Sequence, residues 1–370
     1  MRILFITNQM PPLVDGVGDY TCNLAREFAR HGHEAAVVCR EDARIRTDYG
    51  DIKVFPVVRG WDSGAARPIV RLVRELGAEV VSLQYVPHGF HPKGLPFPLV
   101  RVMREVRKTG VRVQVFCHEV CVFPYGGLKR RILSLMTKKI LRGLLKSCDS
   151  VATSIDYYGW VIRDLYSRNG NVAVIPIASN VPESVLDAHE RAELRERIAA
   201  GKEVVVAFFG NRNVDTSMQA LHNLVQRGSS VKALFIGRTG VLTGSHAVPD
   251  YKTGVLDLKE ISPYFQVADI LVLPETGRYG CSFKSGSLIA GMRYGLPVVS
   301  ACGLLTSPAL KHGENIVFAD FGDVPKLERV LEPLVGRPDM RRRIGENARI
   351  LTRDVTWGNT YVQYMHNIDR

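Results

Sequence analysis

Residues 264–303, YFQVADILVLPETGRYGCSFKSGSLIAGMRYGLPVVSACG, decide the predicted fold of this chain. The stretch predicts a buried strand at 270–273, a loop with glycines, a helix, and a second buried strand at 297–301. Buried strands joined through helices are typical of a parallel sheet that is covered on both faces. The stretch therefore predicts an α/β fold.

The loop that leads into this helix has the composition of an anion-binding site. Ser282 is followed by Lys284, Ser285, Gly286 and Ser287. The start of a helix leaves backbone N–H groups without partners and carries partial positive charge, so a lysine, hydroxyl groups and a glycine there suit a diphosphate. The alternative is structural, because a serine at this place also caps an ordinary surface helix.

Outward from this stretch, buried strands and helices alternate. The predicted strands lie at 3–7, 33–39, 53–57, 80–84, 112–117, 150–153, 172–175, 204–209 and 231–236, and the predicted helices at 21–31, 67–76, 98–108, 128–146, 158–168, 217–226, 263–268 and 356–368. The turn-rich segment 176–182, PIASNVP, interrupts the alternation. We predict two Rossmann-like doubly wound domains, 1–175 and 183–352, that face each other across a cleft, and an aromatic, amphipathic tail, 353–370.

Composition limits the class of protein. The chain has 370 residues, of which 46% are apolar and 23% charged, as in an ordinary globular protein. No apolar run approaches the roughly 20 residues that span a bilayer, and the opening MRILFITN is too short and strand-like for a secretory signal. The seven cysteines show no metal-like spacing. We expect reduced thiols, a cytoplasmic location, and no metal or cofactor.

The positive charge is concentrated in the first half of the chain. Residues 1–175 hold 26 Lys+Arg against 16 Asp+Glu, and the predicted helix 128–146 lies in a stretch without acidic residues. This pattern favours an anionic partner, and an anionic membrane surface on the cytoplasmic side is one candidate. The alternative is a solvated basic face. Nucleic acid is disfavoured because stacking aromatic residues are not interleaved with the basic ones.

The loop after the first strand raises one other enzyme class. It contains Asp15-Gly16-Val17-Gly18-Asp19, which resembles a nicotinamide-dinucleotide turn. The first glycine comes nine residues after Thr7, and a threonine stands where the third glycine belongs. The spacing therefore disfavours a dehydrogenase.

Taken in order, these motifs resemble the GT-B glycosyltransferases, in particular the large retaining family 4. Residues 1–39 are similar to the N-terminal strand, glycine loop, helix and second strand of that family, and VVSLQY and VRVQVFCHEV to later N-domain strands. VIPIASNVP resembles the interdomain hinge, DILVLP and YGLPVVSA bracket the donor site, and TWGNTYVQY resembles the helix that returns to the N-terminal domain. The resemblance covers nearly the whole chain. It implies a nucleotide-sugar-dependent glycosyltransferase that retains the anomeric configuration.

The resemblance also implies roles for individual residues. His118 matches the histidine that hydrogen-bonds the transferred sugar, whereas a histidine at a strand end is often only structural. Lys284 matches a basic residue that faces the diphosphate. The other expected contacts are Gly16, Gly18, Arg212, Glu275, Ser282, Ser285, Gly286 and Ser287 for the donor, and Gln84, Tyr85 and Glu119 for the acceptor.

Two signatures of the family are missing from this sequence. The two glutamates of the donor loop, eight positions apart, fall here at Ser282 and Ala290. The basic pair near the start of the second domain falls at Asn211 and Thr216, with Arg212 one place off. These departures motivate the alternative of a catalytically inactive family member.

The donor loop instead resembles a subgroup with the pattern Ser-x-Arg-Arg-Gly-Ser/Thr-Leu. SFKSGSLIAG keeps one of the two basic residues, as Lys284. In the front-face mechanism proposed for retaining members, the leaving phosphate takes the acceptor proton, so neither a carboxylate pair nor a metal is required. We expect transfer to a glycan or lipid-linked acceptor. The alternatives are an inactive scaffold or binding partner, and another GT-B enzyme such as a phosphorylase or a sugar-nucleotide epimerase.

Overall fold

The chain forms two compact units. A computed structural model describes residues 1–13, 15–165, 172–201, 203–238, 247–275 and 277–369. Met1–Pro176 and Trp357–Arg370 form the N-terminal unit, and Ile177–Thr356 forms the C-terminal unit. The division falls inside the segment 176–182, where the sequence places the domain boundary.

Strands and helices alternate in both units. The first part of the chain contains β1 (Arg2–Ile6), α1 (Gly16–Arg30), β2 (Glu34–Arg40), β3 (Lys53–Val58), α2 (Ala66–Glu75), β4 (Val80–Tyr85), α3 (Pro87–Phe90), α4 (Phe97–Arg107), β5 (Arg112–Cys117), α5 (Leu128–Leu145), β6 (Ser150–Thr153), α6 (Asp156–Leu165) and β7 (Ala173–Val174). The rest contains α7 (Ala188–Ile198), β8 (Val204–Phe209), α8 (Asp215–Gln226), β9 (Val231–Ile236), β10 (Asp250–Lys252), α9 (Leu258–Val267), β11 (Ile270–Val272), α10 (Gly286–Arg293), β12 (Val298–Ser300), β13 (Val317–Phe318), α11 (Val324–Gly336), α12 (Pro338–Thr352) and α13 (Trp357–Asp369).

Each unit is built around one parallel sheet. The N-terminal sheet has the strand order β3-β2-β1-β4-β5-β6-β7, and the C-terminal sheet has the order β10-β9-β8-β11-β12-β13. The central strands β1, β4, β8 and β11 are almost wholly buried, as expected when helices cover both faces of a sheet. Three of them are mainly apolar runs, and β4 also buries Ser82 and Gln84. In such sheets the first three strands are added towards one edge and the later strands towards the other. Ligands bind at the carboxyl ends of the strands at this switch point. The switch points lie between β1 and β4 in the N-terminal sheet and between β8 and β11 in the C-terminal sheet. These two orders confirm the predicted pair of doubly wound α/β units.

The C-terminal helix α13 packs on the N-terminal unit. Tyr364 is fully buried there, with its ring 5.7 Å from that of Phe116 and 6.3 Å from that of Phe5. The Tyr361 ring stacks on His31 at 4.0 Å, and its hydroxyl lies 2.7 Å from His33 Nε2. The aromatic stripe that the sequence shows in the tail is thus the face that α13 buries.

Two helices begin five residues earlier than the sequence suggests. The prediction that α1 starts at residue 21 is wrong: Asp15 caps the helix by accepting a hydrogen bond from Val17 N at 3.2 Å, so α1 starts at Gly16. The prediction that α9 starts at residue 263 is also wrong, because Asp257 and Glu260 form a capping box and the helix starts at Leu258. Residues 166–168 of the predicted helix 158–168 lie outside the described residues.

Candidate active site

At the switch point of the C-terminal sheet, the loops after β8 and β11 lie at the same edge as the start of α10. After β8, Gly210 has a φ of +86°, a conformation that favours glycine, and a β-carbon there would lie 4.0 Å from Ser287 Oγ. The loop after β8 therefore runs beside the first turn of α10. This is the edge at which doubly wound sheets bind ligands.

The first turn of α10 is capped by its own serine. Ser285 is the N-cap residue, and its hydroxyl accepts a hydrogen bond from Leu288 N at 3.3 Å. Helical geometry leaves the N–H groups of Gly286 and Ser287 without an intrahelical acceptor. A β-carbon on Gly286 would approach Asn180 N only to 3.9 Å, so the packing of the unit itself does not demand this glycine. Ser285 therefore caps the helix, and two backbone N–H groups at the same turn still point out of it.

Three charged residues, Lys284, Arg212 and Glu275, belong to these loops. Lys284 is exposed directly before the cap. Arg212, in the loop after β8, forms an ion pair with Glu275 and donates to Pro274 O at 3.2 Å. Two residues expected to bind the donor, Arg212 and Glu275, thus bind each other. Ser282, a third, is buried at 2% exposure.

The cysteine in this loop is a neutral, buried thiol. Burial raises the pKa of Cys281 to about 11, with a smaller opposing effect from a hydrogen bond to Ser300. A thiol that is protonated at neutral pH is a poor nucleophile. The chemistry of the loop therefore lies in its hydrogen-bond donors and cationic groups.

A cavity of about 560 Å³ adjoins this region at the carboxyl ends of β11, β12 and β13. Glu275 lines it together with the apolar Phe318 and Val330 and the charged Asp320 and Lys326. Its volume lies within the range of small-molecule sites, about 300–1,000 Å³.

In the N-terminal unit, the expected site residues cluster at the ends of β4 and β5. His118 follows β5, and its backbone N–H donates to Tyr85 O at 2.9 Å. The His118 ring is 8% exposed, and its Nε2 lies 3.0 Å from Gln84 Oε1. Gln84 and Tyr85 are fully buried, while Glu119 is half-buried. Contacts of Gln84, Tyr85 or Glu119 with an acceptor stay a prediction. Other protein groups surround the side chains of Gln84 and Tyr85.

The two glycines of α1 differ in what surrounds them. A β-carbon on Gly18 would lie 2.5 Å from Gln9 O, so this glycine allows the helix to approach the loop after β1. A β-carbon on Gly16 would have no atom within 4 Å. The close approach at Gly18 is therefore made by the protein's own backbone, whereas Gly16 borders open space. Donor contacts of either glycine stay a prediction.

Sequence reasoning overlooked two carboxylates at the start of α1. Burial raises the pKa of Asp15, partly offset by hydrogen bonds from Val17 N and Gly18 N. Burial and, secondly, the charge of Asp15 raise the pKa of Asp19 to about 6. Two acidic residues four positions apart, at the N-cap and in the first turn of one helix, are the signal that could have identified them.

The part of the chain that the structure describes holds no group of three or more His, Cys, Asp or Glu side chains arranged to bind a metal ion. Within the same residues, no helix has the length and apolar character needed to cross a membrane.

Comparison with known proteins gives a family match for part of the chain and several solved structures of similar fold. Residues 15–178 match the model of a family described as glycosyl transferase 4-like domain. The sequence has no match among curated proteins.

Among solved structures, the chain is similar to sucrose-phosphate synthase from Thermosynechococcus elongatus, with a TM-score of 0.71 and 15% identity over 99% of this chain and 97% of that one. It is similar to Anabaena HepE in complex with UDP-glucose (TM-score 0.71, 14% identity, 100% and 99% covered). It is also similar to WaaG, a glycosyltransferase involved in lipopolysaccharide biosynthesis (TM-score 0.66, 15% identity, 99% and 98% covered). At these identities the likeness shows the fold, which is the predicted GT-B fold.

Proposed function

We propose that this chain transfers a sugar from a nucleoside diphosphate sugar to an acceptor hydroxyl. Two findings support the proposal: residues 15–178 match the model of the glycosyl transferase 4-like domain, and the fold is that of the GT-B glycosyltransferases. The observation that carries the proposal is the first turn of α10. There Lys284, the N–H groups of Gly286 and Ser287, and the positive end of the helix dipole lie at the ligand-binding edge of the C-terminal sheet.

This turn suits a group whose negative charge grows during the reaction. When the bond between the sugar C1 and the phosphate oxygen breaks, the diphosphate leaves with additional negative charge. Fixed N–H donors and a lysine at that position stabilise the charge without having to reorganise, and one such donor contributes about 3–4 kcal/mol in studied enzymes. The cavity lined by Glu275 and Phe318 offers room for another part of the donor.

The bonds and protons of the proposed transfer balance without a cofactor. The bond from C1 to the phosphate oxygen breaks, a bond from C1 to the acceptor oxygen forms on the same face, and the acceptor proton passes to the leaving diphosphate. The configuration at C1 is retained. Since no carboxylate nucleophile is needed, the absence of the paired glutamates at Ser282 and Ala290 is compatible with transfer.

The test is release of nucleoside diphosphate from UDP-, GDP-, ADP-, TDP- and CDP-sugars in the presence of glycan and lipid-linked acceptors. We expect one donor to react, loss of turnover in Lys284→Ala, and unchanged turnover in Lys259→Ala, which removes an exposed lysine from α9. Wild-type turnover in Lys284→Ala would contradict the proposed site. Binding without turnover would favour the scaffold, a requirement for free phosphate would favour a phosphorylase, and donor conversion without acceptor would favour an epimerase.

We propose further that the acceptor is reached at an anionic membrane surface through α5. Leu128, Ile132 and Leu135 lie on one face of this helix and are 72%, 48% and 69% exposed. The same exposed face continues with Lys139 and Arg142. A solvated basic face accounts for the charges but leaves three large exposed aliphatic side chains unexplained.

The charge around α5 favours an anionic lipid surface as the occupant of this face. No acidic residue occurs between Glu119 and Asp149. Each Lys or Arg near an anionic bilayer contributes about 1 kcal/mol of attraction, and apolar side chains that enter the headgroup region add to it. Trp160 of α6, 60% exposed and in ring contact with Tyr157, is a side chain typical of the membrane interface.

Vesicle sedimentation tests this surface. We expect the protein to pellet with vesicles containing phosphatidylglycerol at low salt, and to remain in solution with phosphatidylcholine alone. The triple variant Leu128→Ser, Ile132→Ser, Leu135→Ser is expected to lose binding, while Ile350→Ser, which removes a 57% exposed aliphatic side chain from α12, keeps it. Failure of the wild-type protein to pellet with anionic vesicles at low salt would contradict the membrane surface and leave the donor site untouched.

A further inference from the structure

One side of the Arg212 guanidinium is held by the loop that follows β11. Nη1 donates to Pro274 O at 3.2 Å and to Glu275 Oε1, which uses both hydrogen atoms of that nitrogen. The side chains of Arg212 and Glu275 are 21% and 31% exposed, so water reaches the pair only in part. Because Arg212 belongs to the loop after β8, the pair joins the two loops at the switch point of the C-terminal sheet.

The other side of the guanidinium makes no hydrogen bond within the part of the chain that the structure describes. Nη1 is the only nitrogen of Arg212 that donates there, which leaves Nε and Nη2. These two nitrogens form one edge of the planar group, and such an edge binds a phosphate through two parallel hydrogen bonds. Pro274 O and Glu275 therefore orient this edge without occupying it.

An anion at the first turn of α10 lies within reach of this arginine. Arg212 comes two residues after Gly210, whose β-carbon would lie 4.0 Å from Ser287 Oγ. A carboxylate on Nη1 and a phosphate on the opposite edge each lie about 3 Å from a guanidinium nitrogen, so their charges are about 6–8 Å apart. Glu275 is thus close enough to repel a diphosphate that binds Arg212.

Glu275 has two opposite effects on such an anion, because it helps to orient Arg212 and it also offsets the positive charge. Pro274 O holds the same nitrogen without a charge, so the orientation does not depend on Glu275 alone, whereas the repulsion does. Two unit charges at this separation change an affinity about tenfold or more at an effective dielectric constant near 20. We propose that Glu275 does not bind the donor but weakens the binding of the diphosphate, and most of all after the sugar has left.

The product is affected more than the donor because it carries more charge. A terminal phosphate has a second pKa of about 6, so the released nucleoside diphosphate gains up to one negative charge near neutral pH. Glu275 therefore favours release of the product. The inference rests on the proposed function in naming donor and product, whereas the effect on a bare diphosphate does not depend on it.

Titration calorimetry with inorganic pyrophosphate at low salt tests the role of Glu275 in the Glu275→Gln variant. Glutamine keeps an oxygen that accepts from Nη1 and removes the charge. We expect the variant to bind pyrophosphate about tenfold more tightly than the wild type, with a smaller gain at high salt. Adding Lys284→Ala to the variant should weaken binding, which locates the anion at the start of α10. Equal or weaker binding by Glu275→Gln, or no binding by it, would overturn the proposal.

Glu314→Gln is the matched control. It removes an exposed carboxylate that pairs with Lys311 Nζ at 3.6 Å and lies before β13, at the opposite edge of the same sheet. We expect this variant to bind pyrophosphate like the wild type. Loss of an ion pair with a purely structural role lowers stability without raising affinity, so a gain confined to Glu275→Gln separates the two roles.

Nucleotides test the difference between donor and product. In Glu275→Gln, the Kd of the nucleoside diphosphate should fall by a larger factor than the Kd of its sugar, and inhibition by product should increase. Weaker binding of the nucleotide sugar would instead indicate a direct contact of Glu275 with the donor and contradict the proposal. Tighter binding of pyrophosphate by a protein that transfers no sugar would support the role of Glu275 and contradict the proposed function.

Discussion

Substitutions of Ser285 separate helix capping from anion binding at the first turn of α10. Ser285 Oγ accepts from Leu288 N at 3.3 Å. Ser285→Ala removes this bond and should lower the free energy of unfolding by about 1 kcal/mol, the usual cost of a lost N-cap. Ser285→Asn and Ser285→Asp restore an acceptor, and the aspartate gains a further ~0.3–1 kcal/mol from the helix dipole. Both variants should therefore be at least as stable as the alanine variant.

Donor binding is expected to respond differently from stability. A carboxylate at position 285 and a phosphate charge about 6 Å away repel by about 3 kcal/mol at an effective dielectric constant near 20. That energy corresponds to about a hundredfold weaker binding. We expect Ser285→Asp to bind the nucleoside diphosphate about a hundredfold more weakly than Ser285→Asn, although the aspartate variant is the more stable protein.

Urea unfolding and titration calorimetry of the three variants provide the two measurements. If binding of the diphosphate followed stability across alanine, asparagine and aspartate, the turn would be only a cap. Equal Kd values for the asparagine and aspartate variants would refute the view that the diphosphate lies at this helix terminus.

Two further predictions concern the start of α1. Gly18→Ala should lower the free energy of unfolding by about 1–3 kcal/mol, because its β-carbon would lie 2.5 Å from Gln9 O and overpacking outweighs the better helix propensity of alanine. Gly16→Ala, with open space around it, should be neutral or slightly stabilising. Equal urea midpoints for the two variants would contradict this prediction. The pKa of Asp19 is raised from 3.8 to about 6, so the folded state binds more protons than the unfolded state between these values and stability falls as pH rises through this window. Asp19→Asn should therefore be more stable than the wild type above pH 6, by about 1–2 kcal/mol after allowance for partial exposure. The difference in stability should vanish below pH 4. Urea unfolding across this pH range is the measurement, and a constant difference would refute a raised pKa at Asp19.

The sequence is sufficient for the longer strands of both sheets because their information is local, whereas the short edge strands β10 and β13 of the C-terminal sheet were not predicted. The run Val204–Phe209 is continuous and apolar, and Val231–Ile236 is apolar apart from Lys232. Helices separate such runs, so the composition and length of each run identify a buried parallel strand. The predicted strand at 172–175 shortens to Ala173–Val174, at the edge of its sheet. Helix starts were less predictable, since a cap depends on one side chain, as Asp15 shows for α1.

The candidate site is harder to predict, because its contacts join distant positions. Ser285 was assigned both a capping and a phosphate-binding role from local sequence, and the structure shows the capping bond directly. The ion pair between Arg212 and Glu275 joins residues 63 positions apart, and the hydrogen bond from Gln84 to Tyr364 joins residues 280 positions apart. No periodicity in the sequence reports such pairings, which follow from the order of the strands and the return of α13.

A crystal structure of the protein with the nucleoside diphosphate that binds it would test the central claim most directly. We predict phosphate oxygens within hydrogen-bond distance of the Gly286 and Ser287 N–H groups and of Lys284 Nζ. A diphosphate bound elsewhere, with the first turn of α10 in contact only with solvent, would contradict the account.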